Sequence, residues 1–260
     1  MWIRFAMLGA FCAFAALAAG CGERSPEPAL WHRLSNPRLT SNAGFPSPAE
    51  AVESAAALHA AGSEAEAFAL LGAAHRRYPD DPGLLSAYGR QAVLMGEDEL
   101  AELLLARALA ANPNDWRALS AQGVLDERGG QHVEARGAML LARSLSAQEP
   151  VVLNNLGISY LIEARAAEAA AVLRQALASP ALKPAHAARM KRNLAVAVAV
   201  QGDFDLAERL AGERLPRALK QAGGEAIARF MGLPARTVAR AGGWTTRLAD
   251  ASREFPRPGQ

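Results

Sequence analysis

Leu153-Asn154-Asn155-Leu156-Gly157, followed by Tyr160, decides the fold, because its residue types recur at a fixed distance along the chain. Gly89 and Gly123 precede Gly157 at steps of 34 residues, and Leu85 and Leu119 precede Leu153 at the same step. The step also joins Ala101, Ala135 and Ala169; Ala108, Ala142 and Ala176; and Leu105, Met139 and Leu173. A constant period of this length marks an array in which every repeat is one supersecondary unit. The small residues belong where two antiparallel helices approach, Gly123 on the first helix and Ala135 on the second. Leu119 and Met139 fill the wider gaps, and Ala142 faces the first helix of the next repeat. A single repeat leaves one apolar face bare, and stacking covers it.

This period and its order of large apolar, Gly, Ala, large apolar, Ala and Pro resemble the tetratricopeptide repeat, which implies an all-α superhelix. Five repeats can be placed. The first spans about Pro48 to Asp81, with Ala55 in the glycine position. The second begins at Pro82, the third at Trp116 and the fourth at Pro150. The fifth reads Asn193-Leu194-Ala195, then Gln201-Gly202-Asp203-Phe204 and Ala207, and is displaced by about four residues, a shift assigned to the Pro180–Ala187 connection. Repeats thus occupy residues 48–221, and residues 222–260 form a helical cap and tail. Composition agrees: about 60 of 260 residues are alanine and aromatics make up 6%, which favours thin, closely packed helices over sheet. A net charge of +2 leaves no electrostatic footprint for nucleic acid.

Residues 1–20 read as an export signal. Arg4 supplies the positive start, Phe5 to Leu17 is uncharged and mostly apolar, and small residues follow. The run is short for a transmembrane helix, which needs about 20 apolar residues. Leu17-Ala18-Ala19-Gly20-Cys21 resembles the lipobox of bacterial lipoproteins. That resemblance implies cleavage before Cys21 and acylation of its sulfur and new amine, and several chains anchor firmly where one binds only marginally. Cys12 would leave with the signal, so the mature chain would have no free thiol for a disulfide, a metal or nucleophilic attack. Gly22 after the cysteine, in place of aspartate, implies sorting to the outer membrane. Residues 21–47, with Pro26, Pro28, Pro37 and Pro46, form a tether spanning on the order of 25–30 Å.

A narrower resemblance follows from Arg192-Asn193-Leu194-Ala195 with Gly202, Phe204, Ala207-Glu208 and Leu215-Pro216, and from Trp244-Thr245-Thr246-Arg247-Leu248 near the end. Together with the lipoprotein signal and the repeats, these segments resemble the TadD family of the tight-adherence (Flp) pilus assembly system. The resemblance implies a periplasm-facing, lipid-anchored scaffold whose partner belongs to the pilus assembly and secretion machinery, with the outer-membrane secretin foremost. The alternative within the same class is another periplasmic repeat adaptor, docking peptidoglycan hydrolases or outer-membrane assembly factors.

No catalytic constellation stands out. The five histidines are dispersed, none in a His-Glu-x-x-His pair, and are expected on the solvated surface; no metal or cofactor is expected. Walker, dinucleotide and Gly-x-Ser-x-Gly motifs are lacking. Glu97/Asp98 and Glu64/Glu66 fall at helix starts, where they offset the helix dipole. An active site confined to residues 216–260 is disfavoured by a segment with no histidine or cysteine and few acids. What remains is a binding surface. The positions that line the concave face of such arrays give Arg117 and Val124 in repeat three. They give Asn154, Ile158, Leu161 and Ile162 in repeat four, and Arg189, Arg192, Val196 and Val200 in repeat five. Two arrangements stand open for these aliphatics: an accessible groove, or a tight superhelix that buries them against its own C-terminal segment.

Overall fold

The structure, a computed structural model, describes residues 45–231. The export signal, Cys21, most of the tether and the Trp244 segment lie outside the described residues. Helices follow one another as α1 (Pro48–Ala60), α2 (Glu64–Arg77), α3 (Pro82–Met95), α4 (Asp98–Ala111), α5 (Trp116–Arg128) and α6 (His132–Leu145). Then come α7 (Pro150–Ile162), α8 (Ala166–Ala178), α9 (Pro184–Val200), α10 (Phe204–Ala211), a 3-10 turn (Arg217–Gln221) and α11 (Gly224–Phe230). The described residues contain no strand. The fold is the all-α tetratricopeptide superhelix expected from the period.

Each boundary has a local cause. Proline stands in the first turn of α1, α3, α7 and α9, where a missing N–H costs nothing because it would have no intrahelical partner. Ser47 and Glu50 form a reciprocal cap on α1, and Asp81 and Asp115 accept backbone N–H groups at the starts of α3 and α5. The turn inside each repeat needs one residue in the left-handed region. Gly62, Gly96 and Gly130 take it with φ near 79°, 79° and 76°. In repeat four the same position, 34 residues on, is Ala164 with φ 59°. Its methyl group is solvent-exposed, so it packs against little and bears only the steric cost of that conformation. Ala164→Gly is therefore expected to raise stability by about 0.5–1 kcal/mol, less the extra freedom of glycine in the unfolded chain. A urea midpoint that stays put or falls would contradict this account of the turn.

Packing follows the sequence columns. A Cβ on Gly123 would lie 2.9 Å from the carbonyl oxygen of Ala135 and 2.7 Å from Met139 Cγ, so α5 and α6 touch nearly backbone to backbone. Gly89 and Gly157 instead lie against the side chains of Leu105 and Leu173. Ala101, Ala135 and Ala169 are fully buried, and Ala142 shares a core cluster with Val152 from the following repeat.

Two features differ from expectation. The displacement of the fifth repeat does not arise in the connection before it. Pro184 keeps the 34-residue step from Pro150, and α9 then runs for 17 residues where α7 has 13, so the shift is an extra helical turn. The first part of α9 is largely exposed among the residues described, and Met190 anchors it in the core with Leu153 and Ala176. Secondly, the chain after α10 does more than cover the last repeat. Its 3-10 turn packs on α9, and α11 reaches back to α7 of repeat four. Leu215, Leu219 and Ile227 close a core with Leu161, Leu173, Val196 and Phe204.

Candidate functional site

The first helices of the repeats, α3, α5, α7 and α9, carry the positions expected to face inward. The structure divides them. Arg117 is exposed, with its guanidinium 4.2 Å from the Trp116 ring centre, and Val124, Ile158 and Ile162 are partly buried. Arg189 and Arg192 are exposed on the projecting part of α9, and Val200 lies at the edge of the C-terminal core. Three expected contact residues are instead interior. Leu161 is 0% exposed and Val196 3%, both sealed by the returning C-terminal segment. Asn154 is 2% exposed, and its Oδ1 accepts from Asn193 Nδ2 at 2.8 Å. The column containing Asn154 includes Ser86 and Ser120, also buried, so first helices of neighbouring repeats lie too close there for a ligand to enter.

Each junction between neighbouring repeats is held by a different polar pin. Gln91 donates to the Glu64 carboxylate at 2.6 Å and to its backbone oxygen at 3.1 Å. Burial pushes the Glu64 carboxyl up, but the bonds from His59 and Gln91 outweigh it and hold the group below its usual range. Arg128 pairs with Asp98 and donates to the Val93 carbonyl; Asn155 donates to Ser120 Oγ at 3.1 Å. Arg136 pairs with Glu163, and Gln201 donates to the Ala166 carbonyl at 3.2 Å. Glu64 and Asp98, read from sequence as helix-start charges, thus also join one repeat to the next.

The histidines do not all stand on the solvated surface. His75 packs against Tyr88, ring centres 5.7 Å apart, with a buried Nδ1 that has no hydrogen-bond partner. Burial and the nearby Arg107 charge hold its pKa down, against an opposing pull from Asp80. His132 Nδ1 lies 2.5 Å from Glu127 Oε2, while Ser159 Oγ donates to Glu127 Oε1 at 2.5 Å. These three residue types are those of a nucleophilic triad, but the order is wrong. The carboxylate sits between hydroxyl and imidazole, so the imidazole is not placed to take the serine proton. The arrangement pins repeat four to repeat three. Among the described residues no group of three or more His, Cys, Asp or Glu side chains is placed to hold a metal ion.

The accessible inner surface therefore lies on repeats two to four. On α3, Arg90 and Leu94 are one turn apart, and Leu94 is 57% exposed. On α5, Arg117 and Val124 are two turns apart, and Ile158 continues the surface on α7. Such a floor of aliphatic side chains with cationic points fits a peptide segment of another protein. Sequence reading placed the main site one repeat further on, because it had no signal for the return of residues 215–231.

No protein-family model matches the sequence, and no curated protein sequence matches it. Among solved structures, the tetratricopeptide-repeat protein TTC0263 of Thermus thermophilus is similar, with a TM-score of 0.55 and 20% identity. That match covers 72% of this chain and 97% of TTC0263. PilF of Pseudomonas aeruginosa matches with a TM-score of 0.50 and 17% identity, over 81% of this chain and 92% of its own. At these identities the likeness is one of fold.

Proposed function

We propose that this chain is a protein-interaction adaptor whose concave face on repeats two to four holds a segment of another protein. More narrowly, we assign it as the tetratricopeptide lipoprotein of a tight-adherence pilus assembly machine, anchored through Cys21 to the outer membrane and acting on the secretin. The observation that carries the adaptor reading is the partition of the inner face. The Leu161 end of repeat four and the inner side of repeat five are closed by the chain's own C-terminal segment, while Arg90, Leu94, Arg117, Val124 and Ile158 keep exposed or half-exposed side chains. The pilus assignment is supported by the lipobox-like Leu17–Cys21 stretch and by the fifth-repeat and Trp244 segments.

Ile158→Asp tests the adaptor. Ile158 is only partly buried and stands outside the core clusters, so the variant is expected to melt close to wild type while secretin assembly and piliation fall strongly. A folded variant that supports normal assembly would defeat the reading. Cys21→Ser tests the anchor separately. The thioether cannot form, so fatty-acid labelling should vanish and the protein should leave the membrane fraction or persist as precursor. The repeats, which begin 27 residues later, should stay folded. Labelling that survives the substitution would remove the lipoprotein assignment.

A further inference from the structure

First helices of neighbouring repeats pack on one another, whereas second helices pack on first helices, so α4, α6 and α8 lie on the outer side of the array. At the positions of Leu140 and Leu141, α4 carries Ala106 and Arg107, and α8 carries Arg174 and Gln175, as a solvated face should. The outer side of α6 is different. Val133 is 71% exposed, and Leu140, Leu141 and Leu145 are 41%, 39% and 40% exposed. Steps of four, seven and eight residues from Val133 put Gly137, Leu140 and Leu141 on one helix face, with Gly137 in its middle. Ser144 shares that face, and its hydroxyl is already satisfied, donating to the Leu141 carbonyl oxygen at 2.8 Å. Arg136 and Arg143 are turned to Glu163 and Gln175 of the next repeat. The face itself holds no ionisable group, and Glu134 stands at its edge. A Cβ on Gly137 would meet nothing within 4 Å, so no contact among the described residues calls for glycine there, although glycine weakens a helix interior.

We infer that the outer face of α6 is a self-association surface, on which a second copy of this chain packs α6 against α6 across a two-fold axis at Gly137. An isologous contact needs a face complementary to itself. Antiparallel pairing about Gly137 sets Val133 over the partner's Leu141 and Leu141 over the partner's Val133, and the missing side chain at the centre lets the two backbones approach. A charged face would repel its own copy, and this one carries no charge to do so. Other occupants fit less well. The chain's own residues 232–260 carry five arginines against Asp250 and Glu254, and the face offers those arginines no acid. A lipid surface favours aromatic residues and free cations, whereas this face has no aromatic residue and its neighbouring arginines are engaged. Its four aliphatic side chains expose on the order of 300 Å², a patch of the size that marks contacts on monomers. Pairing of two such faces, with small residues of α4 and α8 at the flanks, gives a total below about 1,200 Å², the class of weak and transient interfaces. The inference does not depend on the adaptor reading. Taken with it, back-to-back pairing leaves both inner faces open, so a dimer holds two partner segments at once and gains by avidity.

Sedimentation of the full chain is the first readout. Wild type is expected to pass from monomer to dimer between about 1 and 100 μM. Val133→Arg and Leu140→Arg should each weaken dimerisation by about tenfold or more, because each would bury an unpaired cation. Both positions are exposed in the single chain, so both variants should melt as the wild-type monomer does. The second readout is a disulfide. With Cys12 and Cys21 replaced by serine, Gly137→Cys sets two sulfurs beside the two-fold axis and should give a covalent dimer under mild oxidation. Leu103→Cys is the control: Leu103 is 57% exposed on α4, 34 residues before Gly137, and its variant should stay monomeric. A wild-type chain that remains monomeric at about 100 μM overturns the proposal. So does a dimer indifferent to Val133→Arg and Leu140→Arg, and so does equal crosslinking of Gly137→Cys and Leu103→Cys. Binding of monomers to phosphatidylcholine vesicles, lost in Leu140→Arg, would give the face to a lipid surface and overturn it as well.

Discussion

Gly123→Leu should lower the stability of the array by about 1–3 kcal/mol or more, while Gly137→Ala, in the same repeat, should raise it by about 0.5–1 kcal/mol. The two glycines sit in helices of ordinary handedness, and only their surroundings differ. A side chain on Gly123 has no room, with Met139 Cγ and the Ala135 carbonyl oxygen inside normal contact distance of its first carbon. Met139 is flexible and can yield, but the Ala135 backbone cannot move without shifting α6 against α5. Because each repeat rests on the next, the strain spreads to the neighbouring interfaces, and the loss should show as a lower urea midpoint of the main transition. Gly137 faces solvent on α6 and a Cβ there meets nothing within 4 Å, so alanine only improves helix propensity. Equal shifts of the same sign in the two variants would show that the repeat phase is misassigned.

Gly224→Val should detach α11 from α7. The Gly224 backbone lies so close to Ile162 that a Cβ would overlap the Ile162 carbonyl oxygen, and neither side is a flexible side chain. Once α11 lifts, Ile227 loses complete burial and the face of α7 around Leu161 opens. Exposing one fully buried isoleucine costs about 1.5–3 kcal/mol, and the newly opened surface should bind a hydrophobic dye. The helices before α7 keep their own cores, so their protection against hydrogen exchange should hold while that of residues 215–231 collapses. Wild-type melting with no gain in dye binding would mean that this segment does not seal repeat four.

Much of the array was legible because neighbour packing repeats. The Gly89, Gly123 and Gly157 column announced the close crossings, but the expected alanine partner is met only at Gly123; Gly89 and Gly157 press on Leu105 and Leu173, the column read as filling the wider gaps. The all-α fold followed from the same columns. Other features have no periodic signal. The extra turn in α9 looks from sequence like a longer connection, since both move Gly202 away from its step by the same amount. Leu161 and Ile158 are equivalent in type and share a helix, but one is core and the other surface. What separates them is Leu215, Leu219 and Ile227 arriving from a segment outside the period. The Ser159–Glu127–His132 pin joins Ser159 to Glu127, 32 positions apart in neighbouring repeats, with His132 five positions beyond Glu127, and no motif of adjacent residues marks it.

Site-specific photo-crosslinking in cells tests the central claim most directly. A photoreactive phenylalanine analogue at Val124 or Ile158 would report from the inner surface, and one at Val133, 71% exposed on α6, from the outer helices. The adaptor account predicts that both inner positions crosslink to one and the same protein, that the Val124 adduct disappears in Ile158→Asp, and that Val133 gives none of it. Crosslinks from Val133 to the pilus machinery, with none from Val124 or Ile158, would contradict it and move the binding surface to the outside of the superhelix.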